Sequence, residues 1–158
     1  MPRQFKLLHK DEYAIDTSAL VRLEEHRDSS AIWQRFFQLI DDERVKTVRF
    51  VTDELVRHSA SAANRLKPYH NKFIFSELDA LVSAAARLIN LYPKMSRPRS
   101  ERTVADPWVI ALAQIDKMSV VTCELSNAKA NHIPDVCQSE GVKCLDLQGF
   151  LRVEKLLR

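Results

Sequence analysis

Residues 13–21 read YAIDTSALV, a short apolar run that ends in Asp16 and continues into the hydroxyl side chains of Thr17 and Ser18. The apolar residues indicate a buried strand. Loops that leave such strands commonly carry functional residues, whereas the strands themselves serve packing. The stretch therefore predicts a strand and makes Asp16 the first candidate site residue.

Apolar runs alternate with helical patterns along the rest of the chain. Strands are predicted at residues 13–16, 47–51, 119–122 and 142–145. Helices are predicted at residues 30–42, 53–65, 77–91, 108–114 and 147–157, with a short one from Pro134. Thr52 and Ser76 are the expected N-terminal caps of the second and third helices. Strands separated by helices predict an α/β fold with a mostly parallel sheet covered on both faces.

Three further acids lie near the ends of predicted elements. Glu54 and Glu124 follow the second and third strands, and Asp106 precedes Pro107 at the start of a helix. Sites in parallel sheets form at the carboxyl ends of the strands. Carboxylates about 5 Å apart repel by about 3 kcal/mol at an effective dielectric near 20, whereas a cation such as Mg²⁺ prefers oxygen ligands. The acids are therefore candidate metal ligands.

Each of these acids also has a purely structural explanation. Asp106 would serve as the N-cap of its helix, and Glu54 would suit the positive end of a helix dipole, a role for which Asp53 competes. Glu124 would be an ordinary loop acid. The residue types alone leave both interpretations open.

Composition narrows the chemistry that the chain can perform. With 158 residues and 46% hydrophobic content, it suits a single domain over residues 1–158, with residues 1–11 as a flexible N-terminus. Only two glycines occur, which excludes glycine-rich phosphate loops. Three cysteines without C-x-x-C spacing argue against a disulfide scaffold or a cysteine zinc site. The N-terminal residues have no secretory apolar region and no run suits a membrane span, so we expect a cytoplasmic protein without a membrane partner.

The net charge of +3 is too mild to establish nucleic-acid binding, but the charges are unevenly distributed. Residues 94–102 carry four basic side chains against Glu101, namely Lys94, Arg97, Arg99 and Arg102. This segment immediately precedes Asp106 and either holds an RNA backbone or forms a solvated loop.

Four stretches resemble the motifs of the PIN-domain family. Residues 13–21 resemble its opening strand motif, and residues 51–55 (VTDEL) resemble its motif of an acid followed by Leu early in a helix. Residues 105–111 (ADPWVIA) and 120–124 (VVTCE) are similar to the third and fourth motifs, the latter usually reading Thr-x-Asp. The end of the chain looks like a PIN-like branch of uncharacterised bacterial and archaeal proteins. The resemblance covers about residues 12–152.

This resemblance implies a three-layer α/β/α fold with about four or five strands. It also implies a Mg²⁺- or Mn²⁺-dependent endoribonuclease, often a VapC-like toxin neutralised by a protein antitoxin. The implied catalytic and metal-binding residues are Asp16, Glu54, Asp106 and Glu124, and the implied polar supports are Ser18 and Thr122. PIN domains often dimerise, so a homodimer is a further expectation. We expect the carboxyl groups to converge closely enough to share one cation.

Two alternatives remain at this point. A phosphohydrolase could use Asp16 as a nucleophile, although phosphoaspartate enzymes of the haloacid-dehalogenase type want a second Asp two residues later, where Ser18 stands. A PIN-like module could instead bind RNA or protein without catalysis. Equal metal affinity in the wild type and in Asp16→Asn would favour the second alternative.

Overall fold

A parallel sheet forms the centre of the molecule in the computed structural model, which describes residues 10–96, 104–127 and 129–156. Within them, four strands pair in the order β2-β1-β3-β4, and every pairing is parallel. The strands are β1 (Tyr13–Ile15), β2 (Val45–Lys46), β3 (Ser119–Val121) and β4 (Cys144–Leu145). The predicted α/β fold with a parallel sheet between helices is confirmed.

Helices connect and flank these strands. They are α1 (Thr17–Glu25), α2 (Ser29–Asp41), α3 (Arg49–His58), α4 (Ala60–Leu66), α5 (His70–Phe73), α6 (Leu78–Leu91), α7 (Asp106–Asp116), α8 (Ile133–Glu140) and α9 (Leu147–Val153), with 3₁₀ turns at Lys67–Tyr69 and Pro93–Ser96. No helix in the described parts of the chain combines the length and the apolar character that crossing a bilayer requires.

The core surrounds the central strand. All three residues of β1 are buried, and α7, which packs against β1 and α6, is apolar almost all round as predicted. The predicted apolar stripe of α2 is likewise buried, with Trp33 and Phe36 fully inside and Phe37 half-buried against Tyr69. Asp16 therefore follows a strand that is buried along its whole length.

The strand predicted at residues 47–51 is wrong. The second strand ends at Lys46, Thr47 makes an isolated bridge to Ile74, and α3 begins at Arg49. Val48, Val51 and Leu55 are all fully buried, and their spacing places them on one face of a helix. The β-branched residues suggested a strand locally, but burial at a helical period decides the structure.

The helix predicted at residues 53–65 is two helices. The N-cap of helix α3 is Val48, whereas the predicted cap, Thr52, lies inside the helix. The helix ends at His58. The chain turns at Ser59, whose side chain accepts a hydrogen bond from the Ala62 amide at 3.4 Å and begins α4. The predicted cap at Ser76 is also wrong, because Glu77 is the N-cap of α6 and makes no side-chain cap bond.

Helix α1 was not predicted, although its start is legible in the sequence. The Asp16 carboxylate accepts a hydrogen bond from the Ala19 amide at 2.9 Å, the usual N-cap contact. Ala19, Leu20 and Leu23 are buried at helical spacing. The residue that ends β1 therefore also begins α1, which fixes the position of its carboxylate at the edge of the sheet.

Candidate active site

The four predicted acids line one cavity of about 420 Å³ at the carboxyl edge of the sheet. Asp16, Glu54 and Asp106 are only 3%, 3% and 7% exposed, whereas Glu124 is half-buried. The lining residues are Asp16, Thr17, Ser18, Val21, Arg22, Glu25, Glu54, His58, Asp106, Cys123 and Glu124. The fold thus brings together acids that are up to 108 positions apart in the sequence (124 − 16).

Asp16 is held by three hydrogen-bond donors. The hydroxyl of Ser18 donates to its carboxylate at 2.9 Å, the hydroxyl of Thr122 donates to Oδ2, and the Ala19 amide donates to Oδ1. Ser18 in turn accepts a hydrogen bond from the Cys123 amide at 2.9 Å. These contacts connect the ends of β1 and β3, which are neighbouring strands. Ser18 and Thr122 therefore stand in contact with Asp16, where the PIN-like motif implies supports.

Glu54 lies in the second turn of α3, not in the first turn after a strand. The Thr17 hydroxyl donates to its Oε2 at 2.7 Å, and the Ala105 amide donates to its Oε1 at 3.4 Å. The side chain therefore links α1, α3 and the segment before α7. The helix-dipole explanation for Glu54 does not apply, because the dipole effect is confined to the first turn.

Asp106 is the first residue of α7, and Ala105 occupies the N-cap position. The N-cap explanation for Asp106 is therefore wrong. The carboxyl group of Asp106 lies near that of Glu124, and the interaction between the two raises the pKa of Asp106. Glu124 also accepts a hydrogen bond from the Ile133 amide at 3.0 Å, at the start of α8.

Electrostatics of the cavity disfavours negative charge. Burial raises the pKa of Asp16 to about 7, although its hydrogen bonds from Thr122, Ala19 and Ser18 act in the opposite direction. Burial also raises the pKa of Asp106 well above its usual range, and the charges of Glu124, Asp16 and Glu54 raise it further. Burial is the largest cause of the raised pKa of both groups, and repulsion by the neighbouring acids adds to it.

The pKa of Glu54 is also raised, although neighbouring groups partly oppose the shift. Burial raises the pKa of this carboxyl group, whereas the hydrogen bonds from Thr17 and Ala105 and the positive charge of Arg57 lower it. Arg22 brings a guanidinium to the wall of the cavity. The acids are consequently accompanied by basic side chains that an anionic ligand would meet.

The carboxyl groups share the cavity, but they are not gathered at one point. Among the described residues, no three His, Cys, Asp or Glu side chains are arranged to hold a metal ion. The expectation that the acids would be close enough to share a cation is not met in this arrangement. The physical reason is that each acid is turned toward a separate partner: Asp16 to Thr122, Glu54 to Thr17, and Glu124 to the Ile133 amide.

The predicted basic segment is described only at one end. Arg97, Arg99 and Arg102 lie outside the described residues. Lys94 is exposed on the 3₁₀ turn after α6, and its ammonium group donates to the backbone carbonyl of Lys129 at 3.1 Å.

Several lining residues were missed by the sequence analysis. Thr17 contacts Glu54 directly, and Arg22 and Glu25 follow Ser18 at helical spacings that place them on the same face of α1. His58 lies one turn after Glu54 on α3. Recognising Asp16 as a helix cap would have predicted α1 and, through its periodicity, this wall of the cavity.

The alternative that makes Asp16 a nucleophile is disfavoured by these contacts. Both carboxylate oxygens of Asp16 already accept hydrogen bonds, and the side chain is almost inaccessible. These hydrogen bonds stabilise the negative charge of the carboxylate and so make it a weaker nucleophile.

Comparison with solved structures supports a PIN-like arrangement of the layers. A chain from the 2.2 Å structure of VapBC-1 from nontypeable Haemophilus influenzae superposes with a TM-score of 0.55 and 15% identity. The match covers 86% of the present chain and 98% of that chain. At this identity the likeness establishes the fold alone.

Comparison with curated proteins yields no match. Comparison with protein-family models yields a match to a domain of unknown function, DUF4411, over residues 13–157. The matched region contains every strand and all four acids of the cavity. The chain therefore belongs to the DUF4411 family.

Proposed function

We propose that this protein is a divalent-metal-dependent ribonuclease that hydrolyses RNA phosphodiester bonds at the cavity formed by Asp16, Glu54, Asp106 and Glu124. The observation that carries the proposal is the burial of three carboxyl groups along one wall. Burying carboxyl groups near one another lowers stability unless they are protonated or neutralised by a cation. A cluster that is so costly for folding indicates a functional requirement.

The donor set fits Mg²⁺ or Mn²⁺ by its chemistry. All four candidate ligands are carboxyl groups, and hard divalent cations prefer oxygen. The raised pKa values of Asp16 and Asp106 fit a site whose acids ionise when a cation arrives. Binding would require the carboxyl groups to turn from their present hydrogen-bond partners toward a common point.

In the proposed site, Asp16, Glu54 and Asp106 hold the metal, and Glu124 is the fourth acid. When bound, the metal supplies Lewis acidity toward the phosphate and acidifies a water molecule. Ser18 and Thr122 orient Asp16, and Thr17 orients Glu54. Arg22 on the cavity wall offers a guanidinium to a phosphate oxygen.

The reaction is a hydrolysis of the RNA backbone. The water oxygen forms a bond to phosphorus and the bond to the 3′ oxygen breaks, which gives a 5′-phosphate and a 3′-hydroxyl. Lys94, Arg97, Arg99 and Arg102 are proposed to hold neighbouring phosphates, because the segment leads directly into Asp106.

Metal-dependent cleavage of single-stranded RNA tests the proposal. The purified full chain should cleave only with Mg²⁺ or Mn²⁺, and a chelator should stop the reaction. Asp106→Asn and Glu54→Gln should each reduce cleavage by about 100-fold or more, because amides are poorer ligands than carboxylates for hard cations.

Asp53→Asn is the matched control for this experiment. Asp53 adjoins Glu54 in the sequence but is exposed on the outer side of α3, so its removal changes net charge equally and should leave cleavage unchanged. Full cleavage by Asp106→Asn would contradict the proposed site.

We also propose that the nuclease is the toxin of a toxin–antitoxin pair. The support is the resemblance of its motifs to VapC-like proteins and the likeness of its fold to a chain of VapBC-1. A protein antitoxin could neutralise the site with an Arg or Lys side chain placed among the acids, since a cation there relieves their repulsion.

A further inference from the structure

A second cavity, of about 370 Å³, lies between the start of α3, α5 and the start of α6, and Trp108 of α7 forms one of its sides. We call it the aromatic groove. Its lining residues are Val48, Arg49, Phe50, His70, Asn71, Ile74, Phe75, Ser76, Leu78, Leu81 and Trp108.

Two aromatic side chains connect this groove to the acidic cavity. Phe50 lies four residues before Glu54 on α3, so the two side chains occupy the same helix face one turn apart. Trp108 follows Asp106 by two residues on α7. The rings of Phe50 and Trp108 contact each other with centroids 5.0 Å apart and planes tilted by 45°. The aromatic pair therefore lies about one helical turn from Glu54, through the position of Phe50 on α3.

Both aromatic rings of the groove are accessible to solvent. Phe50 is 39% exposed, and Trp108 is half-buried. Exposed aromatic rings next to polar groups are typical of binding sites and offer a flat surface to a planar ligand.

Polar groups complete the groove. Within the described part of the chain, neither the amide of Asn71 nor the guanidinium of Arg49 has a protein hydrogen-bond or ion-pair partner. The His70 ring also lines the groove. Burial, followed by the positive charges of Arg49 and Lys67, lowers the pKa of this imidazole, while Asp53 raises it. At neutral pH the ring is therefore an uncharged donor and acceptor.

These observations fit one kind of occupant. An apolar partner helix would leave Asn71, His70 and Arg49 desolvated and unpaired, which is unfavourable. A nucleobase presents a planar ring for stacking and an edge that pairs with an amide, and its attached phosphate suits a guanidinium. The groove combines all three kinds of group, and α3 carries both Phe50 of the groove and Glu54 of the acidic cavity.

We propose that the aromatic groove binds an unpaired base of the RNA next to the bond that is cleaved. The base stacks on Trp108 and Phe50, Asn71 contacts its edge, and Arg49 contacts the adjoining phosphate. The inference rests on the proposed nuclease function, because that function supplies RNA at the neighbouring acids. It gives the site a means of selecting single-stranded RNA by its bases.

The test compares intact single-stranded RNA with RNA that carries one abasic nucleotide at successive positions around the cleaved bond. At one position the abasic nucleotide should raise KM for the wild type about tenfold, as expected for the loss of one stacked base. Asn71→Ala and Trp108→Leu should raise KM for intact RNA, and in Trp108→Leu the abasic nucleotide should have no further effect.

Trp108→Phe should retain most of the affinity, because it keeps a stacking ring. Asn90→Ala, an exposed amide on the far part of α6, is the matched control.

A binding experiment separates this inference from the nuclease proposal. In the presence of chelator, RNA should quench the fluorescence of Trp108 in the wild type, and abasic RNA should quench it less. If the protein does not cleave RNA but this difference persists, the nuclease proposal fails and the base-binding groove stands. If the protein cleaves RNA with the same KM for intact and abasic substrates, and Asn71→Ala and Trp108→Leu behave as wild type, the inference is overturned. RNA binding without any Trp108 response would likewise overturn it.

Discussion

At the scale of single residues, Asp16 shows how several constraints meet in one side chain. It ends β1, caps α1 and contributes an acid to the cavity. Its position after a buried strand was readable from the sequence, whereas its cap contact depends on the Ala19 amide, and its contact with Thr122 depends on strand pairing. Thr17 shows what the sequence could not predict. It adjoins Asp16 in the sequence, but its hydrogen bond to Glu54 arises only when α1 packs on α3.

The raised pKa of Asp16 predicts how the stability of the metal-free protein depends on pH. Its pKa is about 7 when folded, against an ordinary value of 3.8. The folded state therefore binds the proton more tightly than the unfolded state, and the free energy of unfolding should fall as pH rises from about 4 to about 7. This single group corresponds to roughly 4 kcal/mol over that range.

Urea unfolding in chelator at pH 5 and pH 8 measures this effect. The wild type should be less stable at pH 8, and Asp16→Asn should show a smaller difference, because an amide does not titrate in this range. Comparing the two proteins isolates Asp16 from other titrating groups such as His70, whose lowered pKa acts in the opposite direction. If the free energy of unfolding changed equally between pH 5 and pH 8 in the wild type and in Asp16→Asn, the raised pKa of Asp16 would be contradicted.

At the scale of elements, helix α3 begins where a strand was predicted, yet it still carries Glu54 to the acidic cavity. Residues 47–51 have the β-branched character of a strand, but Val48, Val51 and Leu55 form a buried helical face. The period over a longer window would have indicated the helix. The boundaries of α3 and α4 depend on the turn at Ser59, which the periodicity does not reveal.

The C-terminal end of α7 provides a prediction about element stability. Lys117 closes this helix with φ 54° and ψ 47°, in the left-handed region. That conformation is unfavourable for a residue with a Cβ atom and suits glycine. Lys117→Gly should therefore raise the free energy of unfolding, because relief of roughly 1–2 kcal/mol in the left-handed region exceeds the entropic cost of about 0.4–1 kcal/mol that glycine adds.

Chemical denaturation of the variant and of a matched control measures this gain. Lys143→Gly is the control, since Lys143 is exposed and does not have a positive φ. It should reduce stability, because glycine increases the entropy of the unfolded chain. A loss of stability in both variants would contradict the strain assigned to Lys117.

At the scale of the whole molecule, the order of the strands in the sheet brings the four acids to one cavity. Because β1 and β3 are neighbours in the sheet, Asp16 and Glu124 leave it at the same edge, and α3 and α7 bring Glu54 and Asp106 over that edge. The alternation of strands and helices predicts this topology in outline. The individual orientations of the carboxyl groups were not predictable, because they depend on hydrogen bonds such as that from the Ile133 amide to Glu124.

Expression in a bacterial host tests the proposed toxin role. Wild type alone should arrest growth, because unrestrained RNA cleavage is harmful, and Asp106→Asn should not. Co-expression with the gene adjacent to its own should restore growth if that gene encodes the antitoxin. Normal growth with wild type alone, combined with RNA cleavage by the purified protein, would contradict the toxin role and favour a narrow processing role.

The central claim is that the buried acids form a divalent-metal site, and direct titration of Mn²⁺ into the metal-free protein tests it. Calorimetry at pH 7 in buffers of different ionisation enthalpy measures both affinity and proton release. The wild type and Asp53→Asn should bind Mn²⁺ with release of protons, because the pKa of Asp16 is about 7 and a metal ligand must be ionised. Asp16→Asn and Asp106→Asn should each bind at least about tenfold more weakly. Equal affinity in the wild type and in both variants would contradict the claim.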